Sequence, residues 1–191
     1  MQDKTYKSAI VLIPPKESWD AIQGIRREYD SKIKRWMPHI TLVYPFWPKE
    51  EFSQAKALLE PALSSFPSFT ITLREIYYFS HGLQNYTLWL GPEPKGKIIE
   101  LYHTLSGILP NSQKKEEEAE RFNPHLTIGQ IHGKERLPKV CSMIREYWQS
   151  VSFCVDRISL IWREDPPKDA FQVGEEIFLG KACAKSPLEI L

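Results

Sequence analysis

Two stretches of the chain repeat one phrase. Residues 35–46 read RWMPHITLVYPF, and residues 121–129 read RFNPHLTIG. Each sets an Arg, an aromatic and any residue before Pro-His-aliphatic-Thr-aliphatic. The chemistry-bearing side chains are therefore His39 with Thr41, and His125 with Thr127. Imidazole titrates near pH 6.5, so one ring can accept a proton while a second donates one. Such a pair, flanking one phosphorus, supplies the base and the acid that in-line attack on a phosphodiester requires, without a metal. The Thr hydroxyls are donors suited to the non-bridging oxygens. A lone His-x-Thr carries little weight. Two copies, each with Pro immediately before His and Arg four before it, carry much more.

The remaining residues of the phrase have plainer roles. Pro38 and Pro124 fix φ at the entry to each segment, and Arg35 and Arg121 are expected to trail along the surface. The other three of the five histidines, His81, His103 and His132, lack this context and are expected to be structural or exposed. No H-E-x-x-H pattern, closely spaced His-carboxylate set, Walker loop or Rossmann glycine pattern occurs, so neither metal nor cofactor is expected.

The elements that must position these groups can be read from periodicity. His39–Tyr44 and His125–Ile131 read as strands, in which residues i and i+2 share a face. Each His then points with its Thr to one side, while Ile40, Leu42, Leu126 and Ile128 point to the other. Ser8–Ile13, Phe69–Ser80, Tyr86–Leu90, Val151–Trp162 and Phe171–Leu179 also read as strands. Helices are expected from about Glu17 to Tyr29, Lys49 to Ser64, Lys97 to Leu109 and Lys139 to Trp148. The charged stretch NSQKKEEEAE, residues 111–120, is expected to be a mobile loop.

The two phrases belong to a larger repeat. SAIVLIPP matches YTLWLGPEP; a helix, the Pro-His strand, a second helix and a long strand then follow in both halves. Units duplicated in this way pack about a pseudo-two-fold axis, which would gather both polar strand faces in one cleft. The fold class expected is α+β, one bilobal domain spanning residues 1–191.

Composition sets the outer bounds. An apolar fraction of 42% in 191 residues supports a substantial core. With 25 basic against 24 acidic residues the net charge is +1, so no basic field exists to hold a long nucleic acid. The partner expected is a small phosphorylated ligand or one RNA end, met by a monomer. Three cysteines without a C-x-x-C pair suggest reduced thiols. The N-terminal residues lack a signal-peptide pattern and no apolar run is long enough to span a bilayer. A cytoplasmic or nuclear protein with no membrane association is expected.

PHITLVYPF and NPHLTIGQ resemble the paired His-x-Thr/Ser motifs of the 2H phosphoesterase superfamily, which includes the 2′-5′ RNA ligase-like and cyclic phosphodiesterase proteins. The resemblance covers nearly the whole chain, and both motifs are complete. It implies two antiparallel sheets lining a central cleft with helices outside. It implies metal-independent chemistry on 2′,3′-cyclic phosphates, 2′-5′ linkages or RNA 3′ ends. By position, His39, Thr41, His125 and Thr127 match the functional residues, with the second His usually the base and the first the acid. Tyr44 occupies the place of an aromatic that can stack on the substrate base; an ordinary core Tyr fits there equally. The activity expected is hydrolysis of a 2′,3′-cyclic phosphate to a 2′-phosphate. The alternatives are a nucleotide- or RNA-end-binding module with little turnover, and a 2′-5′ RNA ligase or phosphodiesterase.

Overall fold

A computed structural model describes residues 3–110, 122–166 and 168–181. Its strands are β1 (Ser8–Leu12), β2 (Ile40–Val43), β3 (Phe69–Ser80), β4 (Asn85–Glu93), β5 (Leu126–His132), β6 (Val151–Val155), β7 (Arg157–Trp162) and β8 (Gln172–Phe178). The helices are α1 (Trp19–Tyr29), α2 (Phe52–Leu63), α3 (Gly96–Ile108) and α4 (Arg136–Tyr147). The segment 111–120 and Arg121 lie outside the described residues.

The eight strands form a curled antiparallel sheet in the order β6-β3-β4-β5-β2-β1-β7-β8. Its centre is narrow, because β2 and β5 meet at the single pair Ile40–Leu126. Each side of that junction is a four-stranded half. Outward from it, one half runs β2, β1, β7, β8 and the other β5, β4, β3, β6. The internal repeat is therefore visible in the topology: β1 corresponds to β4, β2 to β5 and β7 to β3. Each half borrows the long strand that closes the other half of the sequence. The two sheets expected are thus one sheet pinched at its middle.

Strand alternation decides which face is covered. Ile10, Leu12, Ile40, Leu42, Leu126 and Ile128 join the main core with Ile22 and Ile25 of α1, Leu59 of α2, Leu101 of α3 and Ile144 of α4. Burying each such side chain contributes roughly 1.5–3 kcal/mol. The opposite face carries a second, smaller cluster of Ala9, Val11, Ile161 and Phe171, with Ile13, Trp36, Met37 and Tyr44 packed on it. This is why β1 is buried along its whole length: its odd residues serve one cluster and its even residues the other. Where α1 meets β5, a Cβ on Gly129 would come within 2.5 Å of Tyr29 Cβ, so the close approach requires glycine there.

Several elements differ from expectation. The run Val151–Trp162 is two strands broken at Asp156: β6 pairs with β3 and β7 with β1, so the chain crosses between halves at that residue. β4 continues through Gly91 and Pro92, because β5 no longer pairs beyond Leu90 and the missing proline N–H faces an open side. α4 starts at Arg136 instead of Lys139, with Pro138 in the first turn where N–H groups lack partners anyway. Cys154 is disulfide-bonded, against the expectation of reduced thiols, while Cys141 is free and buried. Among the described residues no helix is long and apolar enough to cross a membrane.

Candidate active site

His39 immediately precedes β2 and His125 immediately precedes β5. The one pair that joins the halves, Ile40–Leu126, follows both. In an antiparallel pair, one step away from that contact sets His39 across from Thr127 and Thr41 across from His125. All four then lie on the face opposite the main core, at the pinch between the halves. Each is half-buried, whereas Ile40, Leu42, Leu126 and Ile128 between and beside them are fully or nearly fully buried.

The same local device orients both rings. The carbonyl of Met37 lies 2.7 Å from Nδ1 of His39, and that of Asn123 lies 2.9 Å from Nδ1 of His125. A carbonyl only accepts, so Nδ1 carries the hydrogen and the lone pair of each neutral ring resides on Nε2. The intervening Pro38 and Pro124 are both buried. Pro fixes its own φ and drives the residue before it to extended backbone, which sets the carbonyl that each ring uses.

The surroundings of the two rings differ. Trp36 stacks on His39 with ring centres 4.6 Å apart, and Phe171 backs Trp36 at 3.8 Å. His125 instead meets the edges of Phe79 at 5.0 Å and Trp89 at 5.8 Å. Burial pushes the His39 pKa down to about 4, since dense protein around a partly open ring solvates its charged form poorly; the Met37 carbonyl and Asp30 oppose that fall, while Arg26 and His125 add to it. Burial also lowers the His125 pKa, against the pull of the Asn123 carbonyl. Both rings therefore favour the neutral form in the free protein.

Beneath His39 lies a buried ion pair. Arg26 and Asp30, one turn apart on and just after α1, are each 2% exposed in their side chains and meet at 2.7 Å. Arg26 also donates to the Trp36 carbonyl at 2.8 Å, fixing the residue that stacks on His39. Asp30 accepts from Gln130 of β5 at 3.1 Å, and Gln130 in turn accepts from the Ser31 hydroxyl at 2.8 Å. The network thus ties α1 in one half to the strand behind His125 in the other.

Tyr44 stands at the rim. Its ring is edge-on to Trp36 at 5.7 Å and to Tyr6 at 5.6 Å, and its hydroxyl donates to the Tyr6 carbonyl at 3.1 Å. Arg35 lies along the surface, paired with Asp169. His81, His103 and His132 are exposed, and His81 and His132 bond to Thr87 and Asn85. Among the described residues no group of three His, Cys, Asp or Glu is arranged to hold a metal ion. A cavity of about 820 Å³ is lined in part by Ile13, Met37, Ser159 and Phe171, and by none of the four residues.

Of the supporting residues, Phe79, Trp89, Phe171, Arg26 and Asp30 do not stand out in the sequence, and Trp36 does so only as the aromatic of the first phrase. A signal existed for one: Arg26 sits on the same helical stripe as Ile22, which marks a charge that must be paired within the core.

Comparison with known proteins shows the family and the fold. The description of the 2′-5′ RNA ligase superfamily matches residues 14–167. A candidate phosphoesterase of Geobacillus kaustophilus is 32% identical over 162 residues, covering 82% of this chain and 88% of that protein. An RNA 2′,3′-cyclic phosphodiesterase of Thermotoga maritima is 31% identical over 83 residues, 44% of this chain and 43% of that one. Escherichia coli LigT without ligand has the same fold, with a TM-score of 0.63 at 18% identity, covering 94% of this chain and all of LigT. The chain belongs to the 2′-5′ RNA ligase superfamily of 2H phosphoesterases.

Proposed function

We propose that this phosphoesterase-family protein hydrolyses 2′,3′-cyclic phosphates of nucleotides or RNA ends to 2′-phosphates, without a metal. The observation that carries the reading is the matched pair of His-x-Thr strands meeting at Ile40–Leu126, each ring held through Nδ1 by a backbone carbonyl. That arrangement leaves two Nε2 atoms, one from each half, for opposite ends of an in-line displacement. Two relatives lend support: the Thermotoga maritima protein is named for this reaction, and the fold binds 3′-AMP in Escherichia coli LigT.

In the reaction, a water oxygen bonds to phosphorus as the bond from phosphorus to the ribose 3′ oxygen breaks. One neutral Nε2 takes the water proton; the other ring, protonated, gives its proton to O3′. Thr41 and Thr127 donate hydrogen bonds to the non-bridging oxygens as charge builds there. The family resemblance assigns the base to His125 and the acid to His39. In the free protein His39 has its pKa lowered to about 4, so its proton must be stabilised by the negative charge of the bound phosphate. Both halves contribute one His and one Thr, which makes the whole chain the unit of function, and a monomer suffices.

Phosphorus NMR of the products from a panel of cyclic nucleotides and cyclic-ended RNAs, with chelator present, tests the proposal. A 2′-phosphate product is expected. A 3′-phosphate would mean that the ribose binds the other way round. Activity abolished by chelation and restored by metal would overturn the mechanism. Tight binding without turnover would leave a binding module.

A further inference from the structure

We propose that the outer face of β3 and β4 beside His125 is a stacking shelf for an RNA base, the one preceding the nucleotide that carries the cyclic phosphate. The inference rests on the proposed function and narrows its substrate class from free nucleotides to RNA ends.

Tyr77, Trp89 and Thr127 occupy one row across β3, β4 and β5, so their side chains share the face of the candidate site. The rings form a continuous series. Trp89 lies between Tyr77, at 4.7 Å and 27°, and Phe79, at 4.9 Å and 23°. Phe79 in turn meets His125 at 5.0 Å. The series starts at the ring expected to act on phosphate and ends in solvent: Trp89 is 8% exposed, Tyr77 42%.

The shelf has a built-in clearance. A Cβ at Gly91 would stand 2.7 Å from the Tyr77 ring, so the glycine lets that ring lie flat against the strand beside Trp89.

The chemistry of the surface fits a nucleobase. It presents aromatic rings instead of aliphatic side chains, and stacking on such rings tolerates any base because each has a π-face. Two ring contacts, 4.7 Å and then 5.8 Å, separate Tyr77 from His125, the span of a nucleotide and not of a phosphate alone. On the other side Trp36 stacks on His39 and Tyr44 stands edge-on to Trp36. With the terminal base on that side, the RNA chain leaves toward β3 and β4.

The test compares a nucleoside 2′,3′-cyclic phosphate with a dinucleotide ending in the same group. Wild-type kcat/KM is expected to be about tenfold higher for the dinucleotide, the scale of one base stack. In Tyr77→Ala that ratio should fall to near one, and Gly91→Ala should lower it by displacing the ring. Tyr77→Phe should keep it. Tyr78→Ala is the control: Tyr78 is 52% exposed but pairs with the fully buried Leu88, on the other face. An unchanged ratio in Tyr77→Ala, or an equal fall in Tyr78→Ala, overturns the shelf. Anisotropy of a 5′-labelled dinucleotide reads binding separately. If no cyclic phosphate is hydrolysed, the proposed function fails; a tenfold loss of binding in Tyr77→Ala would still support the shelf, and equal binding would remove it.

Discussion

The two halves share a backbone plan and fill it in opposite ways. In the half that bears His39, the row through Thr41 continues into Val11 and Ser159, and Ala9 pairs with Ile161 in the neighbouring row. In the half that bears His125, the row through Thr127 continues into Trp89 and Tyr77, and Thr87 pairs with Phe79. Small side chains in the first half are roofed by loop aromatics, Trp36 and Phe171, which form a closed cluster. Large aromatics in the second half stand on the strands themselves and stay open at one end. The helices differ in parallel. Ile22, Ile25 and Arg26 of α1 have the same spacing as Ile98, Leu101 and Tyr102 of α3. Arg26 holds the Trp36 carbonyl, whereas Tyr102 stacks on Phe122, the aromatic of the second phrase, at 4.1 Å. A repeat that keeps its chemical groups but not their surroundings yields two histidines of the same orientation and different electrostatics.

The largest effect should ignore that difference. If one ring is base and the other acid, His39→Ala and His125→Ala should each lower kcat by about 10²–10⁴ with the fold retained. Circular dichroism and steady-state turnover check it. A variant of either with normal turnover would break the pairing of the halves.

The next effect comes from an ion pair that has no counterpart at the matching positions of α3. Arg26→Met or Asp30→Leu leaves its partner charged and unpaired in the core, with an expected cost of about 3–5 kcal/mol. Urea denaturation measures it, and the double replacement should recover most of the loss. If the single variants are as stable as the wild type, the pair does not hold α1 in place.

How much of this was legible in the sequence differs between the strands and the side chains that support them. The Pro-His-x-Thr strands could be read because a strand has a period of two, and because His, with five in 191 residues, is scarce enough for a doubled phrase to stand out. The order β1-α1-β2-α2 was legible for the same reason, in apolar spacing. The break at Asp156 was not. An apolar strand that changes partner has the same pattern before and after the change, and only pairing reveals it. Trp36 and Phe122 hold the same place in the two phrases, yet one stacks on His39 and the other on α3. Nothing in the local pattern separates those fates, since each depends on what the neighbouring helix offers.

The pH dependence sharpens the comparison further. Both rings have pKa values below the ordinary histidine value of 6.5, and that of His39 is about 4. If the two rings act as acid and base, the productive free protein carries one proton on the pair, a state most populated between its two macroscopic pKa values. The optimum of kcat/KM should therefore lie on the acid side of pH 6.5. Bound phosphate favours an imidazolium, so the optimum of kcat should lie higher. A kcat/KM optimum at pH 7.5 or above would contradict lowered pKa values for the two rings. The same shift acts on stability. Between pH 6.5 and about 4 the unfolded chain binds a proton that native His39 resists, so stability falls as pH falls through that window, by roughly 3 kcal/mol in all. His39→Gln should flatten that slope.

The smallest expected effect tests half-buried Tyr44 against exposed Tyr77. Tyr44 presents its edges to Trp36 and Tyr6, and its hydroxyl is committed to the Tyr6 carbonyl. It can reach substrate at the rim, but it also braces Trp36, and through it His39. Removing the ring by Tyr44→Ala should raise KM a few-fold, roughly 1 kcal/mol, with a smaller change in kcat, the sign of lost uniform binding. Tyr44→Phe keeps the ring and gives up one half-exposed hydrogen bond, so its effect should be smaller still. If Tyr44 serves the nucleotide that reacts, its KM effect should be the same for a mononucleotide and a dinucleotide substrate. Tyr77 should act on the dinucleotide alone. If both tyrosines show the same dependence on chain length, the closed half and the open half do not divide the substrate between them.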